Sequence, residues 1–300
     1  MLRGYLFAVG ATALWSGNFI VARGLNESIP PVSLAFWRWV VAATVFLPFA
    51  LKPLISEREM LTANLGYLSL TSLLGITLFN TLIYFAGHTT TAVNLSLISI
   101  TFPIFIVLFS RLWLGETITA NKVTGILLVA VGIVLLITKG QPARLADVSL
   151  AIGDLWMLLA AILFALYSLL LKRKPEGISI WAFQLSTFLL GLVFLFPFFI
   201  WESVVVTAPR LEAGTVLSIL YVGIFASLSA FVLWNQAIAA IGPSKSGMVY
   251  YTLPIFSGVL AHLFLNERIT AIHFLSLLLI VPGILIANRE PGRRASFKAS

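Results

Sequence analysis

The sequence predicts an all-helical integral membrane protein with ten transmembrane helices, arranged as two repeats of five. Three observations support this fold class: the composition, the spacing of the apolar segments and an internal repeat. Of the 300 residues, 60% are hydrophobic and only 10% are charged, against about 25% charged in soluble domains. A soluble domain of this length leaves about a quarter of its unfolded surface exposed to water. Because so few polar side chains are available to cover that surface, we expect lipid to be the main solvent of the chain.

Ten apolar segments have the length that a helix needs to cross a bilayer, about 20 residues. They are separated by charged or turn-forming residues, such as 26–31 and 56–59. Residues 126–131 are apolar without alternation, which favours helices over transmembrane strands. We number the segments as spans 1 to 10. They cover residues 4–22, 33–51, 66–86, 92–113, 122–138, 150–171, 180–200, 214–239, 246–265 and 272–288.

The positive charges predict the orientation of these spans, because cytoplasmic loops of membrane proteins are enriched in Lys and Arg. With both termini in the cytoplasm, thirteen of the 19 basic residues fall inside, five fall outside, and Arg38 falls within span 2. We assign the excess of basic residues, including those of the tail 291–300, to orientation and to contact with anionic membrane lipid, not to nucleic-acid binding. The five outside residues are Arg23, Lys139, Arg144, Arg210 and Arg268.

An internal repeat divides the ten spans into two halves. Residues 102–120 align with residues 253–271 at an offset of 151, and Gly4 aligns with Gly153 at an offset of 149. Because each half has an odd number of spans, the second half must begin on the opposite side of the membrane. Inverted repeats of this kind are typical of secondary transporters, which expose a midplane site to each side in turn. The expected division is a first repeat over 1–140, a second over 150–290 and a basic cytoplasmic tail over 291–300.

Several sequence motifs resemble a known family. They are Trp15-Ser16-Gly17-Asn18-Phe19 in span 1, Phe36-Trp37-Arg38 in span 2, and Leu114-Gly115-Glu116-Thr117-Ile118-Thr119 before Gly125 and Gly132. Over residues 4–288 the chain is similar to two EamA repeats of the drug/metabolite transporter superfamily, and within it to bacterial aromatic amino-acid exporters of the YddG type. The second copy departs from the pattern, with Phe164-Ala165-Leu166-Tyr167-Ser168 in span 6. The resemblance implies a transporter of the bacterial inner membrane, export from the cell, and a fifth span of each repeat outside the central cavity.

Polar residues are distributed unevenly among the spans, which separates scaffold from binding surface. Residues 125–137 and 277–287 carry no polar side chain, so we expect spans 5 and 10 to pack through their glycines and to bind no polar solute. In span 3, Asn80, Tyr84 and His88 recur every four residues and share a face. Spans 1–4 and 6–9 are predicted to line a cavity that binds substrate through aromatic and neutral polar side chains. The predicted substrate-binding residues are Trp15, Asn18, Asn80, Tyr84, His88, Tyr167, Trp234, Gln236, Tyr250 and Tyr251.

Spans 4 and 9 contain prolines at aligned positions, Pro103 and Pro254, and paired interruptions of this kind point to the substrate site of a transporter. We therefore predict that these prolines act as hinges. Simpler interpretations stay open for the polar residues, because intramembrane Asn and Tyr also hydrogen-bond between helices. His88 lies next to a short turn, where an interfacial role competes with proton chemistry. Arg38 is costly within a span and needs a partner. The family resemblance implies snorkelling or structural pairing for it, and attraction of an anion at the cavity is the further alternative.

Absent motifs restrict the mechanism. The sequence has no cysteine, and it has no P-loop, no Gly-x-Gly-x-x-Gly and no His-Glu-x-x-His motif, so no metal, cofactor, catalytic residue or ATP-driven motor is predicted. The three histidines lie in different spans, which disfavours an intramembrane enzyme. We expect the acidic residues, including Glu202, in loops, turns or tails, and Asp154 near the outer surface. Without a carboxylate at membrane depth, uniport, exchange or His88-assisted coupling is favoured over a carboxylate proton relay.

Together these features predict a secondary transporter that exports small amphipathic metabolites by alternating access. Aromatic or neutral amino acids are the expected substrates. The alternative is an exporter of drugs or other metabolites from the same superfamily, although the lack of a midplane carboxylate argues against cationic drugs. A channel is a further alternative, which saturable flux and counterflow would distinguish from a carrier.

Overall fold

The computed structural model describes residues 1–24, 28–90, 95, 98–99, 101–145, 151–206, 212–265 and 270–289, and all regular structure within these ranges is helical. Each of the ten predicted spans contains helix. The helices of the first half are Leu2–Gly24 (span 1), Pro31–Ser56 (span 2), Leu65–Ser72 and Phe79–Thr89 joined by the π-helix Leu73–Leu78 (span 3), Thr101–Leu114 (span 4) and Ala120–Ile137 (span 5). Those of the second half are Ile152–Lys172 (span 6), Ile180–Val205 (span 7), Ala213–Tyr221, the π-helix Val222–Ser229 and Ala230–Tyr250 (span 8 and the start of span 9), Leu253–Leu265 (span 9) and Ala271–Ala287 (span 10). Two short helices, Arg58–Ala63 and the 3-10 helix Pro142–Leu145, lie between spans.

Six helical segments of the described ranges are long and apolar enough to cross a membrane. The longest, Ala213–Tyr250, is not one straight helix, because Gly242 has φ 81° and ψ 167° and is followed by Pro243. Glycine adopts positive φ without steric cost, so the chain turns at Gly242, at the short connection predicted between spans 8 and 9. The ten membrane crossings and the cytoplasmic termini remain predictions. The six segments are Pro31–Ser56, Leu65–Thr89, Ala120–Ile137, Ile152–Lys172, Ile180–Val205 and Ala213–Tyr250.

Spans 2 and 7 pack side by side in opposite directions. Near the start of span 2, Phe36 stacks on Phe199, with ring centroids 4.2 Å apart; near its end, Phe46 stacks on Trp181 at 5.3 Å. As the residue number rises along one helix it falls along the other, so the two helices are antiparallel. Antiparallel packing is what an inverted repeat requires of two helices that occupy the same position in their respective halves.

The same two helices cap each other with glutamates, which corrects the expectation that Glu202 lies in a loop. Glu202 lies within the helix Ile180–Val205 and is buried. It accepts hydrogen bonds from Val32 N (3.0 Å), Ser33 N (2.6 Å) and Ser33 Oγ (2.7 Å). The first N–H groups of a helix have no partner within it, and a carboxylate there is also favoured by the helix dipole. The start of span 2 therefore provides the donors that allow a buried acid in span 7.

At the other end of this helix pair the roles are exchanged. Glu57, next to the last residue of span 2, accepts a hydrogen bond of 2.8 Å from the backbone N–H of Ser179, the N-cap residue of span 7. Lys174 donates to the carbonyl of Ile178 beside it. Burial lowers the pKa of Lys174, and the nearby charge of Glu57 opposes that change in part. Each helix of the pair thus places a carboxylate at the N-terminus of the other.

Spans 5 and 10 form a second antiparallel pair, held by small residues. A methyl group on Gly132 would lie 2.9 Å from Ile280 Cγ1, and one on Gly283 would lie 2.9 Å from the carbonyl oxygen of Gly125. Backbones can approach this closely only where side chains are absent, as at other helix contacts in membranes. These two helices share a core with Met248 and Tyr251, separate from the larger core of the remaining spans.

The sequence offsets of 149 and 151 also relate contacts in the structure. A methyl group on Gly4 would lie 2.6 Å from Ile241 Cγ2, and one on Gly153 would lie 2.9 Å from Thr90 Cβ. Gly4 and Gly153 are aligned residues, and Ile241 is the residue aligned with Thr90. Span 1 therefore packs on the end of span 8 in the same way as span 6 packs on the end of span 3.

Candidate functional site

The centre of the larger core is a cluster of aromatic rings. Phe164 of span 6 contacts the rings of Trp15 (5.4 Å between centroids), Phe79 (4.5 Å) and Trp234 (5.3 Å). Trp15 in turn lies 5.7 Å from Phe231. Because offset and edge-to-face ring pairs are attractive beyond their area burial, these residues form one packed unit from both halves of the chain. We call it the aromatic cluster, which comprises Trp15, Phe79, Phe102, Phe164, Phe231, Trp234 and Tyr250.

The aromatic cluster is closed in this conformation. Trp234 is fully buried, Tyr250 is 4% exposed and Trp15 is 6% exposed. The indole N–H of Trp15 donates to the carbonyl of Ala226 (2.9 Å), and that of Trp234 donates to Ser168 Oγ (3.2 Å). Every ring position is therefore fixed by packing or by a hydrogen bond, and the predicted lining residues meet one another across the core.

A buried guanidinium lies beside this cluster. Arg38 is fully buried. Its Nε donates to Ser227 Oγ (2.6 Å), and its Nη1 donates to Tyr84 OH (2.5 Å), Asn80 Oδ1 (2.9 Å) and Asn18 Oδ1 (3.3 Å). The hydroxyl of Tyr84 also donates to Asn18 Oδ1 at 3.1 Å. We call these five residues, from spans 1, 2, 3 and 8, the Arg38 network.

The Arg38 network carries a positive charge with only neutral partners. Nη2 of Arg38 is buried and contacts no hydrogen-bond acceptor among the described residues. Within the described ranges, the ion pair formed by Lys122 and Glu116 (3.3 Å) lies elsewhere, and no carboxylate lies within 4.0 Å of Arg38. Removing one charge from water costs on the order of several kcal/mol unless an opposite charge compensates it. The guanidinium is stabilised in part by the rings of Trp39 and Tyr84, whose centroids lie 5.2 Å and 5.6 Å from its central carbon.

Two π-helical segments position the partners of Arg38. Asn80 donates through Nδ2 to the carbonyl of Gly75 (3.3 Å), and Ser227 donates to the carbonyl of Val222 (2.7 Å). Gly75 belongs to the π-helix of span 3 and Val222 to that of span 8. A π-helical turn departs from the regular hydrogen-bond ladder and is frequent at functional sites. In spans 3 and 8, a backbone carbonyl of the π-helical turn therefore accepts a hydrogen bond from a side chain of the Arg38 network.

Tryptophans bind further carbonyls of the same segments. Trp39 Nε1 donates to the carbonyl of Ile76 (3.0 Å), and Trp15 Nε1 donates to that of Ala226. Ile76 is the fourth residue of its π-helix, and Ala226 is the fifth residue of the other. The π-helical segments thus bind both the aromatic cluster and the Arg38 network to the helix backbone.

A second polar network lies on the other side of Phe231. Tyr167 OH donates to Asn235 Oδ1 (2.9 Å), and Asn235 Nδ2 donates to Gln184 Oε1. All three side chains are buried, and Gln184 Nε2 contacts no acceptor among the described residues. We call these residues the Asn235 network. It is neutral, in contrast to the Arg38 network.

Span 8 connects the two networks. Ser227, Phe231 and Asn235 follow one another at steps of four residues, so they lie along one face of the helix. Eight residues of helix correspond to about 12 Å. Ser227 binds Arg38 at one end of this stripe, and Asn235 binds Tyr167 at the other. The aromatic cluster fills the space between a charged polar end and a neutral polar end.

Most of the residues predicted from the sequence meet in this site. Those brought together in the cluster or its two networks are Trp15, Asn18, Asn80, Tyr84, Tyr167, Trp234 and Tyr250. Three predicted residues lie elsewhere. His88 is exposed at the last turn of span 3, and Gln236 is half-buried outside both networks. Tyr251 is buried in the separate core of spans 5 and 10.

The predicted list omitted eight residues that the structure places in the site: Arg38, Ser227, Gln184, Asn235, Phe79, Phe102, Phe164 and Phe231. Arg38 was singled out in the sequence as the one basic residue within a span, but its partners could not be identified there. Gln184 had a comparable signal, an amide in an apolar helix. Asn235 adjoins two predicted residues, and its side chain is the one that points to Tyr167. Ser227 and Phe164 gave no distinguishing signal, because serines and phenylalanines occur throughout the spans.

The two predicted hinge prolines differ in their positions within helices. Pro254 is the second residue of Leu253–Leu265, where proline does not remove a hydrogen bond of the helix. Pro103 lies in Thr101–Leu114, and residues 98 and 99 before it are also helical. In span 9 the interruption itself is the turn at Tyr251 and Thr252, directly before Pro254. The residue preceding Thr101 in span 4 lies outside the described residues.

Comparison with known protein families gives two matches along this chain. The family described as "EamA-like transporter family" matches residues 2–138 and again residues 151–289. Relatives resemble the chain over most of its length. An uncharacterized transporter from Archaeoglobus fulgidus is 30% identical over 267 residues, which cover 85% of this chain and 86% of that protein. The uncharacterized transporter YyaM from Bacillus subtilis is 25% identical over 284 residues, covering 95% and 93%.

One further relative has a name that mentions a substrate, and one solved structure has a similar fold. A protein from Streptantibioticus cattleyicolor, described as a "probable terminal-alkyne amino-acid exporter", is 25% identical over 287 residues, covering 93% of this chain and 92% of that one. A solved crystal structure matches the fold with a TM-score of 0.75 at 19% identity, covering 95% of this chain and 96% of that chain. At that identity the match concerns the fold alone.

Proposed function

Because the chain belongs to the EamA-like transporter family, we propose that it is a secondary transporter that exports small amphipathic metabolites by alternating access. Membership establishes that it is a multi-pass membrane transporter and not an enzyme. The observation that carries the proposal is the aromatic cluster, which both halves of the chain build and which a polar network bounds at each end.

Aromatic or neutral amino acids are the substrates we propose. A site lined by Trp, Phe and Tyr rings accommodates an apolar side chain, and a few placed polar groups orient the rest of the solute. The similarity to a protein described as an amino-acid exporter supports the same class. The alternative, an exporter of cationic drugs, is disfavoured by the buried Arg38, because a like charge at the site repels a cation.

Alternating access would proceed by relative movement of two inverted repeats, 1–140 and 150–290. The closed packing of Trp15, Phe164 and Trp234 corresponds to a state in which neither side has access to the site. Opening requires helices to bend. The backbone hydrogen bonds already depart from those of a regular helix at three places, namely the turn before Pro254 and the two π-helical segments. In this proposal both termini are cytoplasmic and the protein lies in the bacterial inner membrane.

Coupling is proposed to be uniport or exchange. The buried carboxylates Asp154 and Glu202 lie near helix ends, where each caps backbone N–H groups. Neither belongs to the Arg38 network or the Asn235 network, so no described acid is positioned to carry a proton through the site. No ATPase motor is required for such a carrier.

The test is counterflow of labelled L-phenylalanine in proteoliposomes that contain the purified protein. Trp15→Ala removes one wall of the aromatic cluster, and we expect it to lower the initial rate at least tenfold. Trp201→Ala is the matched control, because Trp201 is 62% exposed near the end of span 7 and its loss should leave the rate within twofold. Saturation of the rate with substrate is expected of a carrier and would exclude a channel.

Two outcomes would contradict the proposal. If no amino acid among the common twenty exchanges above the rate of empty liposomes, the substrate class is wrong. If Trp15→Ala retains the wild-type rate while Trp201→Ala loses it, the aromatic cluster is not the transport site. Efflux of a cationic dye in the same liposomes would favour the drug-exporter alternative.

A further inference from the structure

Arg38 is held in one orientation by partners that do not neutralise it. Nε and Nη1 donate to Ser227, Tyr84, Asn80 and Asn18, all of them neutral acceptors. Asn80 and Ser227 are themselves bound to backbone carbonyls of the two π-helical segments. The guanidinium therefore cannot rotate without breaking contacts to spans 1, 3 and 8, and its Nη2 edge has a fixed direction.

The Nη2 edge lacks an acceptor among the described residues, although it is fully buried. The two buried carboxylates of the described ranges have other partners. Asp154 accepts from Thr90 and from the N–H of Ala151, and Glu202 accepts from the first turn of span 2. Arginine keeps its charge in proteins, and ionisable groups within membrane spans normally pair with one another or with backbone carbonyls; the Nη2 edge has neither kind of partner among the described residues.

The geometry points to Arg38 as the binding group for the carboxylate of the transported solute: we infer that its Nη2 edge, together with the adjacent aromatic cluster, selects small organic acids and zwitterions that have an apolar body. Guanidinium is the side chain whose planar set of donors matches a carboxylate. The inference rests on the proposed function for its transport step, but binding of the acid is tested separately.

The position of the apolar body follows from the neighbours of Arg38. Asn18 and Trp15 are three residues apart on one face of span 1, so the Arg38 network adjoins the aromatic cluster. Trp39, whose ring lies 5.2 Å from the guanidinium carbon, contacts Phe231 at 5.1 Å, and Phe231 contacts Trp15 at 5.7 Å. A solute whose carboxylate binds Arg38 would therefore have these three rings close by to contact its apolar body.

The first experiment uses the wild-type protein in detergent and measures its melting temperature with four compounds that share a phenyl group. L-Phenylalanine and 3-phenylpropionate carry the carboxylate; L-phenylalaninamide and phenethylamine lack it. We expect the two acids to raise the melting temperature in a saturable manner and the other two to leave it unchanged. Sodium chloride at the same concentrations distinguishes a carboxylate site from a site for any small anion.

The second experiment compares variants in the same assay. Arg38→Gln should weaken the apparent affinity for L-phenylalanine at least tenfold, and Arg38→Lys, which keeps the charge but not the planar donors, should weaken it less. Arg173→Gln is the matched control, because Arg173 is exposed and donates to a single carbonyl, that of Trp113. If Arg38→Gln does not yield folded protein, Ser227→Ala, which removes only the acceptor of Nε, provides the variant, with an expected loss of about threefold to tenfold.

The outcomes separate this inference from the proposed function. Equal stabilisation by acids, amide and amine, or unchanged affinity in a folded Arg38→Gln protein, overturns the carboxylate site even if amino acids are transported. Stabilisation by the two acids that is lost in Arg38→Gln supports the site even if no amino acid exchanges in proteoliposomes. Stabilisation by chloride alone also overturns the inference, since the group bound would not be a carboxylate.

Discussion

The two polar networks occupy corresponding places in the two halves, but one is charged and the other is neutral. In the first, Tyr84 of span 3 donates to Asn18 of span 1; in the second, Tyr167 of span 6 donates to Asn235 of span 8. The sequence offsets align Asn18 with Tyr167 and Tyr84 with Asn235. The same hydrogen bond is therefore made twice between aligned positions, with asparagine and tyrosine exchanged.

The charge is what distinguishes the two sites. Arg38 in span 2 adds a cation to the first network, whereas Gln184 of span 7 adds a neutral amide to the second. Hydrogen bonds that involve a charged group contribute about 1.5–3 kcal/mol to stability, and neutral ones about 0.5–1.5 kcal/mol. Both halves therefore keep the same hydrogen bond between their paired helices, and the first half adds a charged group to it.

The largest expected effect comes from removing the ring at the centre of the aromatic cluster. Phe164→Ala deletes contacts with Trp15, Phe79 and Trp234, and we expect the free energy of unfolding to fall by about 3–5 kcal/mol, as for other large-to-small core changes. Unfolding by SDS titration in mixed micelles measures it. Phe198→Ala, at a ring that is 59% exposed, should change stability by less than about 0.5 kcal/mol; equal losses in both variants would show that the cluster is not a packed core.

The second-largest loss of unfolding free energy is expected from removing the hydroxyl of Tyr84, and the matching change at Tyr167 should cost less. Tyr84→Phe removes a hydroxyl that accepts from Arg38 and should cost about 1.5–3 kcal/mol of unfolding free energy. Tyr167→Phe removes a hydroxyl that donates to a neutral amide and should cost about 0.5–1.5 kcal/mol. Both variants lose a single oxygen from a buried ring, so each serves as the control for the other. Equal losses of unfolding free energy in the two variants would contradict the conclusion that the charge of Arg38 distinguishes the two networks.

The reciprocal glutamate caps of spans 2 and 7 give a smaller difference. Glu202→Gln weakens three hydrogen bonds at the start of span 2 and should destabilise the protein by about 1–2 kcal/mol. Glu57→Gln weakens one bond at the less buried start of span 7 and should cost less than about 1 kcal/mol. The same SDS titration measures both variants. A larger loss of unfolding free energy in Glu57→Gln than in Glu202→Gln would contradict the expectation that the cap by Glu202 contributes more to stability.

The smallest effect is expected at Gln184, the neutral amide that span 7 contributes to the Asn235 network. Gln184→Met removes an amide whose Nε2 already lacks an acceptor among the described residues. The relief of that buried donor offsets the loss of the bond to Asn235, so stability should change by about 0–1 kcal/mol. Transport measured by L-phenylalanine counterflow should stay within threefold of the wild type. A loss comparable with that of Arg38→Gln would mean that both networks bind the solute.

Several features of the site could be predicted from individual residues. The four-residue spacing of Asn80 and Tyr84 placed them on one face, and the offset of 149 related Asn18 to Tyr167; all four lie in the networks. Other residues could not be chosen in this way. Asn235 and Gln236 are adjacent and similar in polarity, but they point about 100° apart around the helix. Only the packing of span 8 against span 6 decides that Asn235 meets Tyr167.

The sequence by itself determined the properties that depend on composition and on spacing along the chain. Low charge and long apolar segments specify helices in lipid, because a helix satisfies its own backbone hydrogen bonds there. Shared prolines and glycines at offsets of 149 and 151 predicted two related halves, and the family model matches the chain twice, over 2–138 and 151–289.

The tertiary structure alone decided which groups face one another. The burial of Glu202 depends on N–H groups 170 residues away, at the start of another helix. The neutral surroundings of Arg38 depend on side chains from three other spans, and its unpartnered Nη2 becomes visible only when all of them are in place. Periodicity fixes the face of a helix on which a residue lies, but contact between faces is set by the packing of helices that are distant in sequence.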